Sequence, residues 1–252
     1  MICRHPDMIR IERNFLKCTK CKVWKGEREE PHHYSYEYYM PPGLNIFSKL
    51  GIPRRRWYFN IHKKVWNECG INLDKMVSAM EIGCGIGRIL WTLHSEHGMK
   101  CTGVESSDWA IKWQEESHGT NDNYKLYNTN FELMDYSKLG KFDLIYACHV
   151  LEHLEDPMST LEQCYKLLNK SGYLSMIVPD KEHQLHLHTH NWAFDKDVLT
   201  LWFKQLGLKN IKEALTKPYN GMWGSVIKGK DGKAIKILKE PAGHYIHICG
   251  QK

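Results

Sequence analysis

The sequence lacks the segments that mark membrane, secreted or repeat proteins. No apolar run approaches the roughly 18 residues that a membrane helix needs, and the residues after Met1 lack the apolar core of a signal peptide. There is no internal repeat and no low-complexity segment. The nine cysteines are odd in number and scattered, unlike a disulfide scaffold. We therefore expect a cytoplasmic protein without a membrane span, in a reducing compartment.

Most of the chain has no net charge. The 252 residues are 42% hydrophobic and 25% charged, which fits one domain with a small appendage. The net charge of +6 lies in residues 1–60, which hold 12 Lys/Arg against 6 Asp/Glu, whereas residues 61–252 hold 23 of each. This basic excess fits contact with nucleic acid, phosphate or a membrane surface, and it equally fits a solvated segment.

Short apolar runs alternate with amphipathic stretches from about residue 76 onward. The predicted strands are 77–82, 100–105, 124–128, 142–147 and 173–178. The predicted helices are 48–69, 87–97, 107–118, 157–168 and 195–206. This alternation is typical of a parallel sheet covered on both faces. A hairpin over 225–238 and a last strand over 244–249 complete the predicted elements.

Residues 81–88 form a glycine-rich loop, Glu-Ile-Gly-Cys-Gly-Ile-Gly-Arg, between a predicted strand and a predicted helix. Glycines let such a loop approach a ligand beside the positive end of a helix. Glu105 closes the next strand, where a carboxylate can accept hydrogen bonds from both ribose hydroxyls. The pair predicts a nucleoside-containing cofactor, although the loop also fits a tight turn. Arg88 stands where the dinucleotide fingerprint needs its third glycine.

The pattern E-x-G-x-G-x-G resembles the first motif of class I S-adenosylmethionine (SAM)-dependent methyltransferases. Residues 142–157 are similar to the fourth-strand motif of that superfamily. Residues 167–174 and 178–180 resemble its segments before and at the end of strand five. The resemblance covers about residues 76–215. It implies a Rossmann-like α/β fold, with a mostly parallel seven-stranded sheet, helices on both faces and an antiparallel C-terminal strand.

The resemblance also implies which positions bind SAM. The glycine loop would hold the methionine part, the end of the second strand the ribose, and the segment after the third strand the adenine. The end of strand four would face the sulfonium. These positions are Glu81, Gly83, Cys84, Gly85, Gly87, Glu105, Ser106, Asn130, Phe131, Cys148 and His149.

The run Leu151-Glu152-His153 resembles the branch that contains ubiquinone-biosynthesis O-methyltransferases and many sugar and natural-product methyltransferases. In the ubiquinone enzymes an acidic residue, a Glu and a His at this spacing are linked to a divalent metal. The matching positions are His149, Glu152 and His153. The imidazole of His149 replaces a carboxylate, which suits a hard ion such as Mg²⁺ less well. The alternative is that Glu152 and His153 hold a turn by hydrogen bonds.

Four histidines, His183, His186, His188 and His190, fall within eight residues. Residues 189–194 resemble a T-H-x-[WY]-x-x-F stretch of the ubiquinone-type enzymes, shortened by one residue. His190 is therefore the candidate for a general base or a substrate contact. With His149 and His153 it completes the predicted catalytic set. The other three histidines equally fit an exposed lid loop without chemistry.

The first 47 residues are predicted to form a separate segment before a methyltransferase domain at 48–252. The spacing Cys18-x2-Cys21 is half a zinc ribbon, and Cys3 and His5 are the upstream residues able to complete a four-ligand site. The alternative is a remnant with free thiols. A tyrosine cluster at 34–39 fits either an acceptor pocket or packing against the core.

These observations predict in-line methyl transfer from SAM to a hydroxyl of a small molecule of the sugar or phenolic type. The alternative is an RNA or protein methyltransferase that docks through its basic N-terminal segment, with nucleic acid not favoured. A third hypothesis is a non-enzymatic binding protein. The sequence lacks a Pro-Cys dipeptide and an N/D-P-P-Y/F motif, which disfavours C5-cytosine and amino-group DNA methylation.

Overall fold

A computed structural model describes most of the chain. The described residues are 4–5, 7–12, 15–26, 51–181, 190–216, 226–228, 234–237 and 245–252. Several sequence-based candidates lie outside them: Cys3, the tyrosine cluster at 34–39, His183, His186, His188 and residues 229–233 of the predicted hairpin.

A seven-stranded sheet forms the centre of the molecule, in the order β10-β13-β8-β7-β4-β5-β6. Its strands are β4 (Ser78–Ile82), β5 (Lys100–Glu105), β6 (Tyr124–Asn128), β7 (Phe142–Cys148), β8 (Leu168–Pro179), β10 (Lys209–Thr216) and β13 (Tyr245–Gln251). The pairs from β6 to β8 are parallel, and β13 runs antiparallel to both β8 and β10. The predicted fold class is confirmed, including the antiparallel C-terminal strand.

Five helices accompany this sheet in the described residues: α1 (Gly51–Glu68), α2 (Leu90–His97), α3 (Asp108–His118), α4 (Pro157–Leu167) and α5 (Lys196–Gln205). Their starts follow the capping chemistry of the sequence, because the side chains of Ser107, Asp156 and Asp195 each accept a first-turn backbone N–H. Helix α2 begins later than predicted because Gly87 has a φ of +72°, which no α-helical residue adopts. None of the helices in the described part of the chain combines the length and apolarity needed to cross a membrane.

A second, smaller sheet contains the N-terminal strands, which sequence reasoning missed. Strands β1 (Met8–Glu12), β2 (Phe15–Cys18) and β3 (Trp24–Gly26) pair antiparallel in sequence order. We call residues 4–26 the N-terminal ribbon. These strands are three to five residues long and rich in charge, so their pattern carries little signal. A two-stranded sheet of β11 (Val226–Lys228) and β12 (Ala234–Ile237) corresponds to the predicted hairpin.

The ribbon is joined to the part of the molecule that contains the large sheet through a shared strand pair and a shared core. Strand β3 pairs antiparallel with β9 (Trp192–Ala193), which follows the larger sheet's strand β8 in the chain. Cys18 and Val23 of the ribbon are fully buried in the same hydrophobic cluster as Trp192 and Trp202. The ribbon therefore packs directly beside the carboxyl edge of the parallel strands. The predicted boundary at residue 47 lies outside the described residues.

Candidate cofactor and acceptor site

The glycine loop follows β4 at the carboxyl edge of the sheet. Gly83, Gly85 and Gly87 have φ values of +66°, +51° and +72°, in the left-handed region that favours glycine. Space is limiting as well: a Cβ at Gly83 would lie 2.4 Å from Cγ2 of Val150, and one at Gly87 would lie 2.3 Å from Oε1 of Gln114. The loop is therefore a tight backbone cradle whose shape excludes side chains.

Glu105 ends β5 beside this cradle and is held by the backbone. Its Oε2 accepts a hydrogen bond from the Gly85 N–H at 2.8 Å, and its Oε1 accepts one from the Ser107 N–H at 2.9 Å. The residue is buried. Each carboxylate oxygen keeps a second lone pair, so the group can still accept ribose hydroxyls. The cradle and this carboxylate together fit a nucleoside-containing cofactor.

Glu81 lies beneath the cradle and braces it. Its Oε2 accepts hydrogen bonds from the Tyr146 hydroxyl at 2.5 Å and from the Leu90 N–H at 3.1 Å. Burial raises the pKa of Glu81 to about 8, although these two hydrogen bonds act in the opposite direction and lower it. The side chain is therefore largely protonated at neutral pH and ties the start of α2 to β7.

The remaining predicted cofactor residues take different places around the carboxyl edge. Ser106 and Asn130 are exposed, and Asn130 accepts the Glu132 N–H as the cap of a 3-10 turn. Phe131 is buried and its ring contacts Tyr136 edge to face, with 5.0 Å between the ring centroids. Cys84 is buried under the loop, with its sulfur 3.3 Å from the Gln114 amide nitrogen. Cys148, half-buried, ends β7.

His149 follows β7 in a strained conformation, with a φ of +56°. Its backbone N–H donates to the Ile177 carbonyl at 2.9 Å, which holds it at the end of the sheet. Its Nδ1 lies 3.3 Å from Oε1 of Glu152, and its ring contacts Tyr245 at a centroid distance of 4.7 Å. In this conformation the imidazole lies between Glu152 of the following turn and Tyr245 of β13.

Glu152 is a fully buried carboxylate in the 3-10 turn Leu151–His153. Burial alone would raise its pKa, but the nearby His149 Nδ1, 3.3 Å from Oε1, and the electrostatic interaction with His153 and His190 lower the pKa to about 2. The carboxylate is therefore ionised in an interior position, where imidazole groups compensate its charge.

His153 and His190 complete this cluster. Their rings meet edge to face with centroids 4.7 Å apart, and the Glu152 Oε1 lies 4.0 Å from the His153 Nε2. One ligating atom from each of Glu152, His153 and His190 lies within 4.8 Å of the others. We call His149, Glu152, His153 and His190 the histidine cluster. The structure thus brings the three predicted catalytic histidines into one group around a carboxylate.

Two further histidines that sequence reasoning missed lie behind His149. His62 of α1 and His247 of β13 are buried, with ring centroids 6.1 Å apart. Burial, then the neighbouring His149, lowers the pKa of His247 to about 3, and burial lowers the pKa of His62 well below its usual value. Neither belongs to a recognisable sequence motif, so no local signal marks them.

The ribbon carries a second group of potential ligands. His5, Cys18 and Cys21 place one ligating atom each within 4.8 Å of one another, and the Cys21 sulfur lies 3.2 Å from the His5 Nδ1. Burial lowers the pKa of His5, which favours the neutral imidazole that a metal requires. The fourth predicted ligand, Cys3, lies outside the described residues.

Comparisons with known proteins agree with this geometry. A family model described as a methyltransferase domain matches residues 54–213. The tRNA U34 carboxymethyltransferase of Alteromonas mediterranea is 28% identical over 153 residues, which are 54% of this chain and 46% of that protein. The ubiquinone biosynthesis O-methyltransferase of Coxiella burnetii (strain Dugway 5J108-111) is 28% identical over 113 residues, 44% of this chain and 47% of that protein.

A solved structure shows the same fold. The SAM-dependent methyltransferase from Archaeoglobus fulgidus superimposes with a TM-score of 0.56 at 17% identity, covering 81% of this chain and 100% of that one. The chain spans about half the length of the curated relatives it matches. The motifs, the sheet order and the family match agree, and the chain belongs to the family of class I SAM-dependent methyltransferases.

Proposed function

We propose that this protein transfers a methyl group from SAM to a hydroxyl of a small molecule of the sugar or phenolic type. The observation that carries the proposal is the histidine cluster: three imidazoles around the buried, ionised Glu152, beside the glycine cradle. Val150 packs against Gly83 of this cradle, and His149 is the residue before Val150 in the chain. Residues that can accept a proton therefore stand next to the cofactor loop.

Each part of the site has a separate task in this proposal. Bound SAM supplies a methyl group that its sulfonium makes electrophilic. The glycine cradle and Glu105 bind and orient the cofactor. His190 in its neutral form accepts the proton of the acceptor hydroxyl, and the ring of His153, 4.7 Å away, supports it. Glu152 stabilises the imidazolium that forms, since a buried carboxylate interacts strongly with a neighbouring positive charge.

The same cluster has the composition of a metal site. Two imidazoles and a carboxylate, from His153, His190 and Glu152, suit borderline ions such as Zn²⁺ better than Mg²⁺. A resident metal would orient the acceptor hydroxyl and lower its pKa. Metal analysis of the purified protein, compared with a Glu152→Gln variant, distinguishes a metal-assisted from a metal-free base.

We also propose that His5, Cys18 and Cys21 bind a structural zinc ion, with Cys3 as the fourth ligand. The chemistry of the donors supports this: two cysteines and one histidine converge beside a tight turn, where Lys22 has a φ of +67°. The ion would hold the ends of the ribbon together.

A second candidate function, methylation of RNA, is favoured by the surface of the ribbon. The Lys17 and Lys181 ammonium groups lie 6.0 and 5.8 Å from the ring centroid of Trp24, which is partly exposed. A partly exposed aromatic ring flanked by lysines suits single-stranded nucleic acid. The tRNA-modifying relative points the same way. Measuring RNA affinity against salt concentration tests it, because phosphate contacts require a steep decrease in affinity as salt rises.

The deciding experiment for the main proposal measures methyl transfer from labelled SAM to fractionated small metabolites and to RNA. His190→Asn should abolish labelling of a small-molecule fraction and leave binding of S-adenosylhomocysteine intact. His118→Gln, at the end of α3, is the control and should keep activity. Labelling of RNA alone would reject the small-molecule proposal in favour of the second candidate.

A further inference from the structure

Gly26 of the ribbon lies directly against the backbone of His190. Its N–H donates to the Asn191 carbonyl at 2.7 Å, which extends the β3–β9 pairing by one residue. A Cβ at Gly26 would lie 2.6 Å from the carbonyl oxygen of His190. Gly26 has no left-handed φ, so this position needs glycine for lack of space alone. The ribbon thus contacts the backbone of His190 with no room for a side chain between them.

Asn191 fastens the same segment to the turn that carries Glu152. Its backbone N–H donates to the Glu152 carbonyl at 2.8 Å. Its side-chain amide donates to the His153 carbonyl at 2.8 Å and lies 3.3 Å from both the Leu154 carbonyl and the Glu155 carboxylate. Asn191, the residue next to His190, is therefore hydrogen-bonded to the backbone carbonyls of both Glu152 and His153.

Further contacts hold the ribbon in this position. Arg4 forms a two-pronged ion pair with Glu162 of α4, at 2.9 and 3.0 Å. The His5 ring lies between Trp192 and Trp202, with centroid distances of 5.3 and 5.4 Å. The Trp192 indole N–H donates to the Leu154 carbonyl at 2.8 Å. The segment 190–192 is thus clamped between the ribbon on one side and residues 152–155 on the other.

We propose that the N-terminal ribbon is a positioning device for the acceptor site: docking of β3 on β9 fixes His190 against His153 and Glu152, with Gly26 and Asn191 as the positioning residues. This inference deepens the proposed function, because it matters for catalysis if His190 contacts the acceptor. It gives the ribbon a role in the geometry of the reaction, beyond contributing charge. It also makes the proposed zinc ligand His5, which touches Trp192, part of the same clamp.

The test compares Gly26→Ala with Gly140→Ala in the full chain. Gly140 is the matched control, because a Cβ there has nothing within 4 Å and its φ is not left-handed. Hydrogen exchange and histidine side-chain NMR report on the cluster without a known acceptor. Gly26→Ala should raise exchange at the Asn191 amide at least tenfold and shift the His190 and His153 ring signals together. Gly140→Ala should leave both unchanged.

A second variant, Asn191→Ala, keeps the test decisive if Gly26→Ala does not fold. It removes the side-chain amide and should shift the same ring signals, while affinity for S-adenosylhomocysteine stays within twofold. Unchanged His190 and His153 signals in a folded variant of either kind would overturn the inference. A separate outcome concerns the proposed function. If Gly26→Ala or Asn191→Ala shifts the ring signals but His190→Asn remains active, the positioning role of the ribbon holds and His190 is not the base.

Discussion

Gly83 and Val150 touch across two loops that leave neighbouring parallel strands. The space at Gly83 is so limited that a Cβ would lie 2.4 Å from Cγ2 of Val150. Gly83 begins the cofactor cradle, and Val150 lies between His149 and the turn that carries Glu152. The contact therefore links the proposed cofactor side of the site to its proposed acceptor side.

Gly83→Ala should weaken cofactor binding by more than its effect on stability explains. The matched control is Gly98→Ala, because Gly98 has the same φ of +66° but open space around a Cβ. Both variants should lose about 1 kcal/mol of stability from left-handed strain, and Gly83→Ala should lose more because its Cβ overlaps Val150. Calorimetry with S-adenosylhomocysteine should show lost affinity for Gly83→Ala alone. Equal affinities in the two variants would mean that the contact with Val150 does not shape the cradle.

Glu105→Gln should lower the affinity for S-adenosylhomocysteine about 10- to 100-fold, since hydrogen bonds to a charged group contribute about 1.5–3 kcal/mol. Glu115→Gln is the control, because Glu115 is an exposed glutamate on the neighbouring helix α3. Titration calorimetry of both variants measures the difference. Wild-type affinity in Glu105→Gln would exclude this carboxylate from the ribose site.

His190→Asn and His153→Asn should each lower kcat about 10²- to 10⁴-fold, the range that a general base contributes. Affinity for S-adenosylhomocysteine should stay within twofold, because neither residue belongs to the cradle. Steady-state kinetics with the labelled acceptor fraction separates kcat from KM. A change confined to KM in both variants would assign these histidines to acceptor binding instead of proton transfer.

Glu81 makes the stability of the fold depend on pH in the direction opposite to most carboxylates. Its pKa is raised from 4.5 to about 8 in the folded protein. The contribution of protonated Glu81 to the free energy of unfolding is thus fully present below pH 4.5 and is lost as the pH rises through 8. Over that window the slope approaches ~1.4 kcal/mol per pH unit. Denaturant unfolding at several pH values should show a flatter dependence for Glu81→Gln, and parallel curves would contradict the assignment.

Zinc analysis tests the ribbon site. The wild-type protein should contain one zinc ion per chain, and Cys18→Ser should lose it and melt at a lower temperature. Cys101→Ser serves as the control, because Cys101 is a buried thiol in β5 that packs in a different hydrophobic cluster from the ribbon cysteines. Zinc-free wild-type protein, prepared without chelator, would dismiss the site.

The sequence by itself predicted six of the seven strands of the large sheet, the five helices and the glycine cradle, whereas β10 (Lys209–Thr216) was not among the predicted strands. The signals for the cradle are local in sequence. An apolar strand, glycines whose φ is positive, and a carboxylate at the end of the next strand all lie within residues 78–105. The predicted strands 100–105 and 124–128 agree with the structure to the residue, because turn residues bound them on both sides. Each signal needs only a short window of chain.

The composition of the proposed acceptor side depends on packing between distant parts of the chain. His149, Glu152 and His153 share one turn, but His190 joins them from 37 residues further along the chain, and His62 and His247 arrive from α1 and β13. The ribbon strands are too short for their sequence pattern to predict them, and β3 is paired with β9, which is distant in the chain. Such groupings depend on which distant segments pack together, a property of the assembled core that short-range patterns do not encode.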